Sequence, residues 1–475
     1  MILDKTDGLL ITWILNWVIF HPFDFNANIF YPFKNALAFS DLQWTLALIT
    51  APFVKIFGEP LLAYNLSIFF GLVLTPISVY LFLKHLTKET KVSLLGAVIF
   101  SFCPMRLGYL AHPQLLNFWP VVLATMFLWQ KRYLLYIFCF LLSALTTPLF
   151  MYFLLFIGGI RMVGGYEGNE GNEGIKKIIF VLAMASLFTV PFLWPYWEVS
   201  RTFNYVRPIT DAIHFSLQFP DLFNLRPEGT KAYLGVGMMV FLIWGVWGEW
   251  GIWHKITMGS FIMALGPALH IFTNTIHIGP IPAIPLPYTI FYYLVPGFSG
   301  LRTPSRWIIL AAFAGTVAAA MGLKNKITKK IFVLLVVLVL LEMPWNTKFY
   351  EVLKVKDFPA EQTWLKNNYL GAPIIYFPIF GWWDQPQVER ETKRMYYSTI
   401  HWHPMYNGYS GFSPKVWEDS VRWLQKSFPS VETVKFLKEK GVRLVIIDRG
   451  YQGDRGYQGL NYVTEFEDVI IYEIF

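Results

Sequence analysis

The chain has 475 residues, of which 55% are hydrophobic, 18% aromatic and only 15% charged, and its mean hydropathy is +0.44. Soluble domains carry about 25% charged residues, so the composition excludes an ordinary soluble enzyme and indicates an integral membrane protein. The net charge of +8 lies largely in loops and indicates membrane topology, not nucleic-acid binding. The two cysteines, Cys103 and Cys139, lie in apolar runs and predict buried thiols.

Two acidic residues stand out in the first 60 residues. Asp7 opens an apolar-aromatic segment, and Asp41 opens a second, "SDLQWTLALITAPFVKIFGE". Ser40 is expected to cap the second helix, with Asp41 favouring its dipole. One interpretation is that Asp7 is a solvated terminal carboxylate and that Asp41 is a helix-start residue, and it is as good as the next. The alternative is a catalytic base at the membrane surface, where apolar walls raise the proton affinity of a carboxylate.

Ten apolar runs predict membrane-spanning helices, and several of them reach the roughly 20 residues needed to cross the hydrocarbon core. They lie at roughly 61–84, 91–110, 114–130, 133–147, 148–163, 177–196, 231–248, 256–272, 304–322 and 331–345. A break at Thr147-Pro148 favours two short helices over one bent helix there. The repeat "EGNEGNEG" at 167–174 predicts a flexible polar loop, and 286–298 predicts a short interfacial or re-entrant helix.

The distribution of basic residues predicts the orientation of these spans. Clusters such as "KNKITKK" all fall on one side, which the positive-inside rule makes cytoplasmic. We therefore expect a multi-pass plasma-membrane protein in three parts: a first extracytoplasmic loop with amphipathic helices (1–60), a transmembrane domain (61–345) and an extracytoplasmic domain (346–475). This orientation places the N-terminus on the outer side with no predicted span before it. Either the N-terminus is translocated directly or, as we favour, a first helix lies upstream of Met1.

The tail predicts a small α/β domain. Helical patterns ("EQTWLKNN", "KVWEDSVRWLQKSF", "VETVKFLKEKG") alternate with apolar strand patterns ("APIIYFPI", "VRLVIID", "DVIIYEIF").

Several polar residues on the predicted outer side are candidates for binding. Arg302 and Arg306 in "GFSGLRTPSRWIIL" are four apart at the start of a predicted helix, where Thr303 can cap and guanidinium groups suit phosphate oxygens. Contact with lipid headgroups is the alternative. Arg106, His112 and Gln114 form a polar set at the end of another span, a pattern that indicates either a binding site or interfacial anchoring.

The aromatic segment "MYYSTIHWHPMYNGYSGFSP" predicts an acceptor-binding or lid loop, with membrane-interface contact as the alternative. Its candidate residues are His401, His403, Tyr406 and Asn407. The two histidines lack further ligands that would define a metal site. The sequence contains no Walker loop, nucleophile elbow or HExxH motif, which argues against ATP-driven transport and zinc proteolysis.

Several blocks resemble a large prokaryotic family of polytopic membrane proteins related to the GT-C superfamily of glycosyltransferases. The blocks include "DGLLITWILNW", "FSFCPMRLGYLAHPQLLNFW", "VPGFSGLRTPSRW" and "LKEKGVRLVIID". The superfamily includes the protein O-mannosyltransferases and the aminoarabinose transferase. The resemblance implies a GT-C-like α-helical membrane fold of about ten spans. It also implies a catalytic carboxylate just after the first helix, where Asp7 falls, and a second acidic residue later in that loop, where Asp41 falls.

The reaction implied is inverting transfer of a sugar from a polyprenyl-phosphate donor to an extracytoplasmic acceptor. Arg302 and Arg306, with Arg106, would hold the phosphate, and membrane lipids are expected partners. No cofactor is required by the motifs, although some relatives use a divalent cation such as Mg²⁺ or Mn²⁺. Two alternatives remain: a non-catalytic protein that binds or translocates lipid-linked glycans, and a hydrolase that uses Asp7 and Asp41 as a carboxylate pair.

Overall fold

The computed structural model describes residues 1–163, 171–223, 232–246, 250–271, 274–275, 284–451 and 457–475. The chain divides into two compact units. The first contains Met1–Ser67, Leu193–Asn204 and Lys348–Phe475, and the second contains Ile68–Phe192 and Tyr205–Thr347. Two long helices, Leu61–Thr87 and Gly171–Thr202, contribute residues to both units.

The N-terminal helix of the first unit, Asp7–Phe20, is buried on every side, with each residue from Gly8 to Ile19 inaccessible. The next helix, Trp44–Phe57, buries one face and leaves Leu48, Phe53, Ile56 and Phe57 exposed. The first helix has no exposed face, and the exposed face of the second carries Lys55 among apolar residues; the assignment of 1–60 as an extracytoplasmic loop with amphipathic helices stays a prediction. Most side chains of both helices are apolar, as expected of helices in a protein core or a membrane.

The C-terminal α/β domain follows the predicted alternation. Its helices lie at Ala360–Asn367, Glu389–Tyr397, Lys415–Ser427 and Val431–Glu439, with 3-10 turns at Val355–Asp357 and Ser398–Ile400. Its sheet has the strand order Ile374–Phe377, Leu444–Asp448, Val469–Ile474, Leu460–Glu465. The first pair is parallel, with Ile374 opposite Leu444, and the other two pairs are antiparallel. The three predicted strands and three predicted helices are confirmed.

Two elements of this domain were not predicted. The strand Leu460–Glu465 has mostly exposed side chains, so it lacks an apolar pattern. The helix Glu389–Tyr397 is rich in charged residues, yet Glu391 and Arg394 are buried within it. Burial of charged side chains in this helix depends on tertiary partners that the sequence does not reveal.

The second unit is helical. Its helices lie at Thr90–Phe102, Pro104–Leu107, Pro113–Leu116, Trp119–Trp129, Tyr133–Thr146, Pro148–Val163, Ile209–His214, Val236–Val246, Ile252–Ala264, Pro287–Leu294, Ile308–Gly322 and Lys329–Leu341. Single 3-10 turns occupy Phe219–Phe223, Phe298–Gly300 and Pro304–Trp307, and His270–Ile271 pairs with Asn274–Thr275. Ile308–Gly322 is buried along its length between Val236–Val246, Ile252–Ala264 and Thr90–Phe102. A Cβ at Gly245 would lie 2.2 Å from the Ala319 backbone, so small residues permit this close packing.

The predicted spans correspond to helices, with local differences. Leu61–Thr87, Asn172–Thr202 and Pro304–Gly322 are long and apolar enough to cross a membrane. Two short helices do meet at Thr147, as predicted. The predicted span 91–110 ends at Phe102, because Cys103 is extended before Pro104. Residues 167–170 of the predicted loop lie outside the described part of the chain. The rest of the predicted loop, from Gly171, is helical.

Candidate functional site

Arg302 and Arg306 flank the start of the central helix of the second unit. Pro304 occupies the first position of the 3-10 turn that leads into this helix, as predicted, whereas the Thr303 side chain makes no capping bond. The guanidinium of Arg302 stacks on the Phe215 ring at 4.9 Å. Within the described part of the chain, neither arginine side chain has a hydrogen bond or an ion pair to a carboxylate. Two guanidinium groups are thus available to an anion.

A third arginine, Arg207, lies close to this pair and was not predicted. Partial burial lowers the pKa of the Arg302 guanidinium, and the positive charges of Arg207 and Arg306 lower it further. The negative charge of Asp211 raises the pKa of Arg302. The Tyr292 hydroxyl donates to the Arg207 carbonyl, which fixes the segment that carries it. Among the described residues, no ion pair neutralises the charge of Arg302 or Arg306, which favours binding of an anion beside them.

Arg106 lies in the same unit but its guanidinium is already engaged. The side chain is 1% exposed, and its two terminal nitrogens donate to the carbonyls of Leu115 at 2.6 Å and Leu116 at 2.7 Å. The rings of Phe100 and Phe118 lie 5.3 and 5.6 Å from it. This geometry stabilises the bend between two helices. Phosphate binding by Arg106 stays a prediction that these contacts do not support.

His112 and Gln114 lie in the same bend. His112 precedes the short helix Pro113–Leu116, and its carbonyl accepts from the Leu115 amide at 2.9 Å. Gln114 is 5% exposed. Tyr109, one turn earlier, lies within electrostatic range of both Arg106 and Arg306. Arg106 and Arg306 therefore both lie near Tyr109, while direct substrate contact by His112 and Gln114 stays a prediction.

Asp7 is the first residue of the N-terminal helix and is half-buried. The Asp4 carboxylate accepts hydrogen bonds from the main-chain amides of Thr6 and Asp7 at 2.8 and 2.6 Å. Asp4 therefore caps the turn that positions Asp7. Asp4 and Asp7 both lie close enough to Tyr64 to act on its phenol electrostatically. A carboxylate so placed is held in position by main-chain geometry, as a general base needs to be.

Asp41 lies before the second helix and not within it. The helix begins at Trp44 with Gln43 in the left-handed conformation before it, so the prediction that Ser40 caps this helix is wrong. Asp41 is half-buried and lies near Tyr196, whose hydroxyl donates to the Ser40 carbonyl. Asp7 and Asp41 belong to the same unit, and the catalytic role of each stays a prediction.

The aromatic segment of the tail is an interior part of the α/β domain. His403, Tyr406 and Asn407 are at most 1% exposed. The two ring nitrogens of His403 lie 2.8 and 2.9 Å from main-chain carbonyls, and the Asn407 side chain bonds the amide and carbonyl of Tyr376 on the first strand. These side chains anchor the segment to the sheet edge, so its role as an acceptor-binding or lid loop stays a prediction that their burial does not support.

His401 is mostly buried. One ring nitrogen accepts from the His403 amide at 3.0 Å, and the other lies 3.2 Å from the Gln362 side-chain oxygen. Within the described residues, no group of three or more histidine, cysteine or acidic residues gathers in a way that would hold a metal ion. The two cysteines are buried and free, as predicted.

Comparison with solved structures defines the class of fold. The chain is similar to the cryo-EM structure of a mutant arabinofuranosyltransferase AftD from mycobacteria, with a TM-score of 0.54 and 12% identity. The match covers 100% of this chain and 42% of that one, so the chain spans about two fifths of that transferase. The similarity shows a GT-C-like helical membrane fold, which confirms the predicted fold class.

Two further structures match at lower scores. A second class of the AftD mutant gives a TM-score of 0.42 at 12% identity, covering 98% of this chain and 41% of that one. ArnT from Cupriavidus metallidurans in the apo state gives 0.40 at 10% identity, covering 99% and 94%. No curated protein matches the sequence. The chain belongs to the family described as "Domain of unknown function (DUF6311)", whose model matches residues 15–343.

Proposed function

We propose that the protein is a membrane glycosyltransferase that transfers a sugar from a polyprenyl-phosphate donor to an extracytoplasmic acceptor, such as a cell-envelope glycan, lipid or protein. The GT-C-like fold supports a glycosyltransferase in general. The observation that carries the donor assignment is the group of Arg207, Arg302 and Arg306, called here the arginine group. The absence of carboxylate partners for Arg302 and Arg306 among the described residues suits a phosphate.

In the proposed reaction, the arginine group binds the donor phosphate and stabilises the negative charge that develops on it as the glycosidic bond breaks. Asp7 takes the proton from the acceptor hydroxyl, whose oxygen forms the new bond to the anomeric carbon with inversion. Asp41 assists electrostatically. The polyprenyl phosphate is the leaving group and retains both electrons of the broken bond. The scheme assigns no step to a metal ion.

The test is sugar transfer by the purified protein in lipid nanodiscs. A panel of polyprenyl-phosphate sugars is offered with crude envelope acceptors, and wild type is run beside Asp7→Asn. We expect Asp7→Asn to reduce transfer by about 10²-fold or more, because general-base catalysis contributes about 10²–10⁴-fold. Donor binding should remain, since Asp7 does not contact the phosphate in this scheme. Glu467→Gln, which neutralises an exposed carboxylate of the tail, is the matched control.

The same assay separates the alternatives. Donor binding without turnover, unchanged by Asp7→Asn, would indicate a protein that binds or translocates lipid-linked glycans. Release of free sugar to water in place of a transfer product would indicate a hydrolase. Transfer that persists at the wild-type rate in Asp7→Asn would refute the role of Asp7 while leaving the transferase assignment intact.

A further inference from the structure

The short helix Pro287–Leu294 exposes an apolar face. Ile290, Tyr293 and Leu294 are 60, 68 and 75% exposed, and their spacing of three and four residues places them on one side of the helix. Large side chains grouped in this way indicate a contact surface. The helix has 8 residues, too few to cross a bilayer. The face therefore suits contact with a layer that the helix lies on or in.

The opposite face of this helix is hydrogen-bonded to the two segments that carry the arginine group. The hydroxyl of the buried Tyr292 donates to the main-chain carbonyl of Arg207. One turn earlier, the hydroxyl of the buried Tyr288 donates to the Leu301 carbonyl at 2.9 Å, directly before Arg302. Because the two tyrosines are four residues apart, a single face of the helix joins both segments.

Further contacts fix the helix at one end of the helical bundle. The Thr289 hydroxyl donates to the Pro267 carbonyl at 2.7 Å, just beyond the end of one predicted core helix. The Tyr152 hydroxyl, near the start of another, donates to the Pro296 carbonyl at 2.8 Å. The Phe298 ring packs against the Tyr152 ring, with centroids 5.2 Å apart. The exposed face is thus turned away from the unit that holds the helix.

The outer leaflet of the bilayer fits this face. The helix lies where predicted spans end, and tyrosine is enriched at that depth because its ring is apolar and its hydroxyl is polar. An apolar helix face close to cationic side chains matches a lipid layer, in which acyl chains lie beneath anionic phosphates. The bonds from Tyr288 and Tyr292 would then place the arginine group near the level of those phosphates.

We propose that Pro287–Leu294 lies in the outer leaflet and holds the arginine group at the depth of lipid phosphates, so that the group binds a phosphate anchored in the membrane. The inference rests on the proposed function in that it concerns the donor-phosphate site. Membrane depth is measured without transfer chemistry, so the two can fail separately. Tyr292 is a positioning residue in this scheme, because it acts through Arg207.

The first test is the depth of single labelled cysteines in the full-length protein, in nanodiscs that contain spin-labelled lipid. The two native cysteines are buried, so a fluorescent label should react with the introduced cysteine alone. Leu294→Cys should be quenched more by a spin label in the upper acyl chain than by aqueous iodide. Thr210→Cys, an exposed position three residues after Arg207, should be quenched by a spin label on the lipid headgroup. Leu370→Cys, an exposed leucine of the α/β domain, is the matched control and should respond to iodide alone.

The second test, Tyr292→Phe, addresses the link between the helix and the arginine group. The change keeps the ring and removes the bond to the Arg207 carbonyl. It should weaken binding of a polyprenyl phosphate about 2–10-fold, the factor that one neutral hydrogen bond contributes, while the Leu294→Cys label stays at the same depth. Tyr293→Phe makes the same change on the exposed face and should bind as wild type does. Inorganic phosphate, the soluble competitor, should displace the polyprenyl phosphate poorly.

Several results would overturn the proposal. The Leu294→Cys label could respond to iodide as strongly as the Leu370→Cys label, which would place the face in water. It could respond to neither quencher, which would indicate a second copy or another protein on this face. Equal affinities of Tyr292→Phe, Tyr293→Phe and wild type would remove the positioning role, and efficient displacement by inorganic phosphate would remove the preference for an anchored phosphate. The expected depths and phosphate binding in a protein without transfer activity would support the inference and refute the proposed function.

Discussion

Replacement of Arg302 by glutamine tests the donor site directly. Glutamine keeps a polar side chain of moderate length but removes the positive charge and the planar fork of donors. Arg302 is exposed and stacks on Phe215, so the change leaves the core of the second unit intact. We expect loss of donor affinity with little loss of stability.

The size of the effect follows from the arrangement of the arginine group. Each hydrogen bond from a guanidinium to a charged acceptor contributes about 1.5–3 kcal/mol, so a bidentate contact gives about 3–6 kcal/mol. In the native protein, repulsion from Arg207 and Arg306 lowers the pKa of Arg302. Removal of the Arg302 side chain also removes this repulsion. This relief offsets part of the loss. We therefore expect a net loss of about 2–3 kcal/mol, or about 30–150-fold in the dissociation constant.

The assay is donor binding in nanodiscs, with a polyprenyl-phosphate sugar as ligand and ionic strength as a second variable. Arg302→Lys keeps the charge but not the fork, so it should weaken binding only about tenfold. Arg132→Gln makes the same change at an exposed arginine of the opposite predicted side and serves as control. Higher salt should weaken wild type more than Arg302→Gln, because the variant has less charge to screen.

Two outcomes would refute this reasoning. Equal affinity of Arg302→Gln and wild type would show that the phosphate lies elsewhere. Equal losses in Arg302→Gln and Arg132→Gln would indicate a general effect of net charge and not a site.

Two further predictions concern the α/β domain. Glu391→Ala should lower the free energy of unfolding by about 3 kcal/mol, because it leaves the buried Arg394 without the carboxylate that lies 2.9 Å away. Urea unfolding of wild type, Glu391→Ala and Glu391→Gln measures this loss. Burial, with a smaller contribution from His403, holds the pKa of His401 at about 3, far below its ordinary value of 6.5. Below about pH 6.5 the unfolded chain binds a proton that the folded chain does not, so stability falls by up to about 1.4 kcal/mol per unit as pH drops toward 3. Thermal unfolding from pH 7.5 to 4.5 should show this slope, and His401→Gln should reduce it.

Local patterns predicted those elements whose structure depends on nearby residues. The buried strand Leu444–Asp448 is a run of apolar residues, and the helix Lys415–Ser427 repeats apolar residues at the helical period, so both are visible in sequence. Pro148 likewise indicated the break between two helices of the second unit. The start of the helix at Trp44 was placed too early, because Ser40 and Asp41 fit a cap that the chain does not form.

The candidate site was only partly predictable, because its residues come from distant segments. Arg302 and Arg306 stood out as basic residues on the predicted outer side, whereas Arg207 lies about 95 residues earlier in a segment with no motif. The burial of Asn407 and His403 could not be predicted either, since it depends on the sheet edge that they bond. An aromatic, polar segment has the same composition at a surface as in a hydrogen-bonded interior.

The first unit joins the beginning of the chain to its end through buried polar groups. The Asn28 side chain accepts from the Trp13 indole at 3.1 Å and donates to the Ser398 hydroxyl and to the His403 carbonyl, each at 3.1 Å. The Ile2 main chain pairs with Tyr350. These bonds fix the helix that begins at Asp7 to the α/β domain. Buried polar groups are costly to leave unpaired, so the α/β domain sets the position of the Asp7 carboxylate. In the proposed enzyme, the α/β domain therefore holds the candidate base in place.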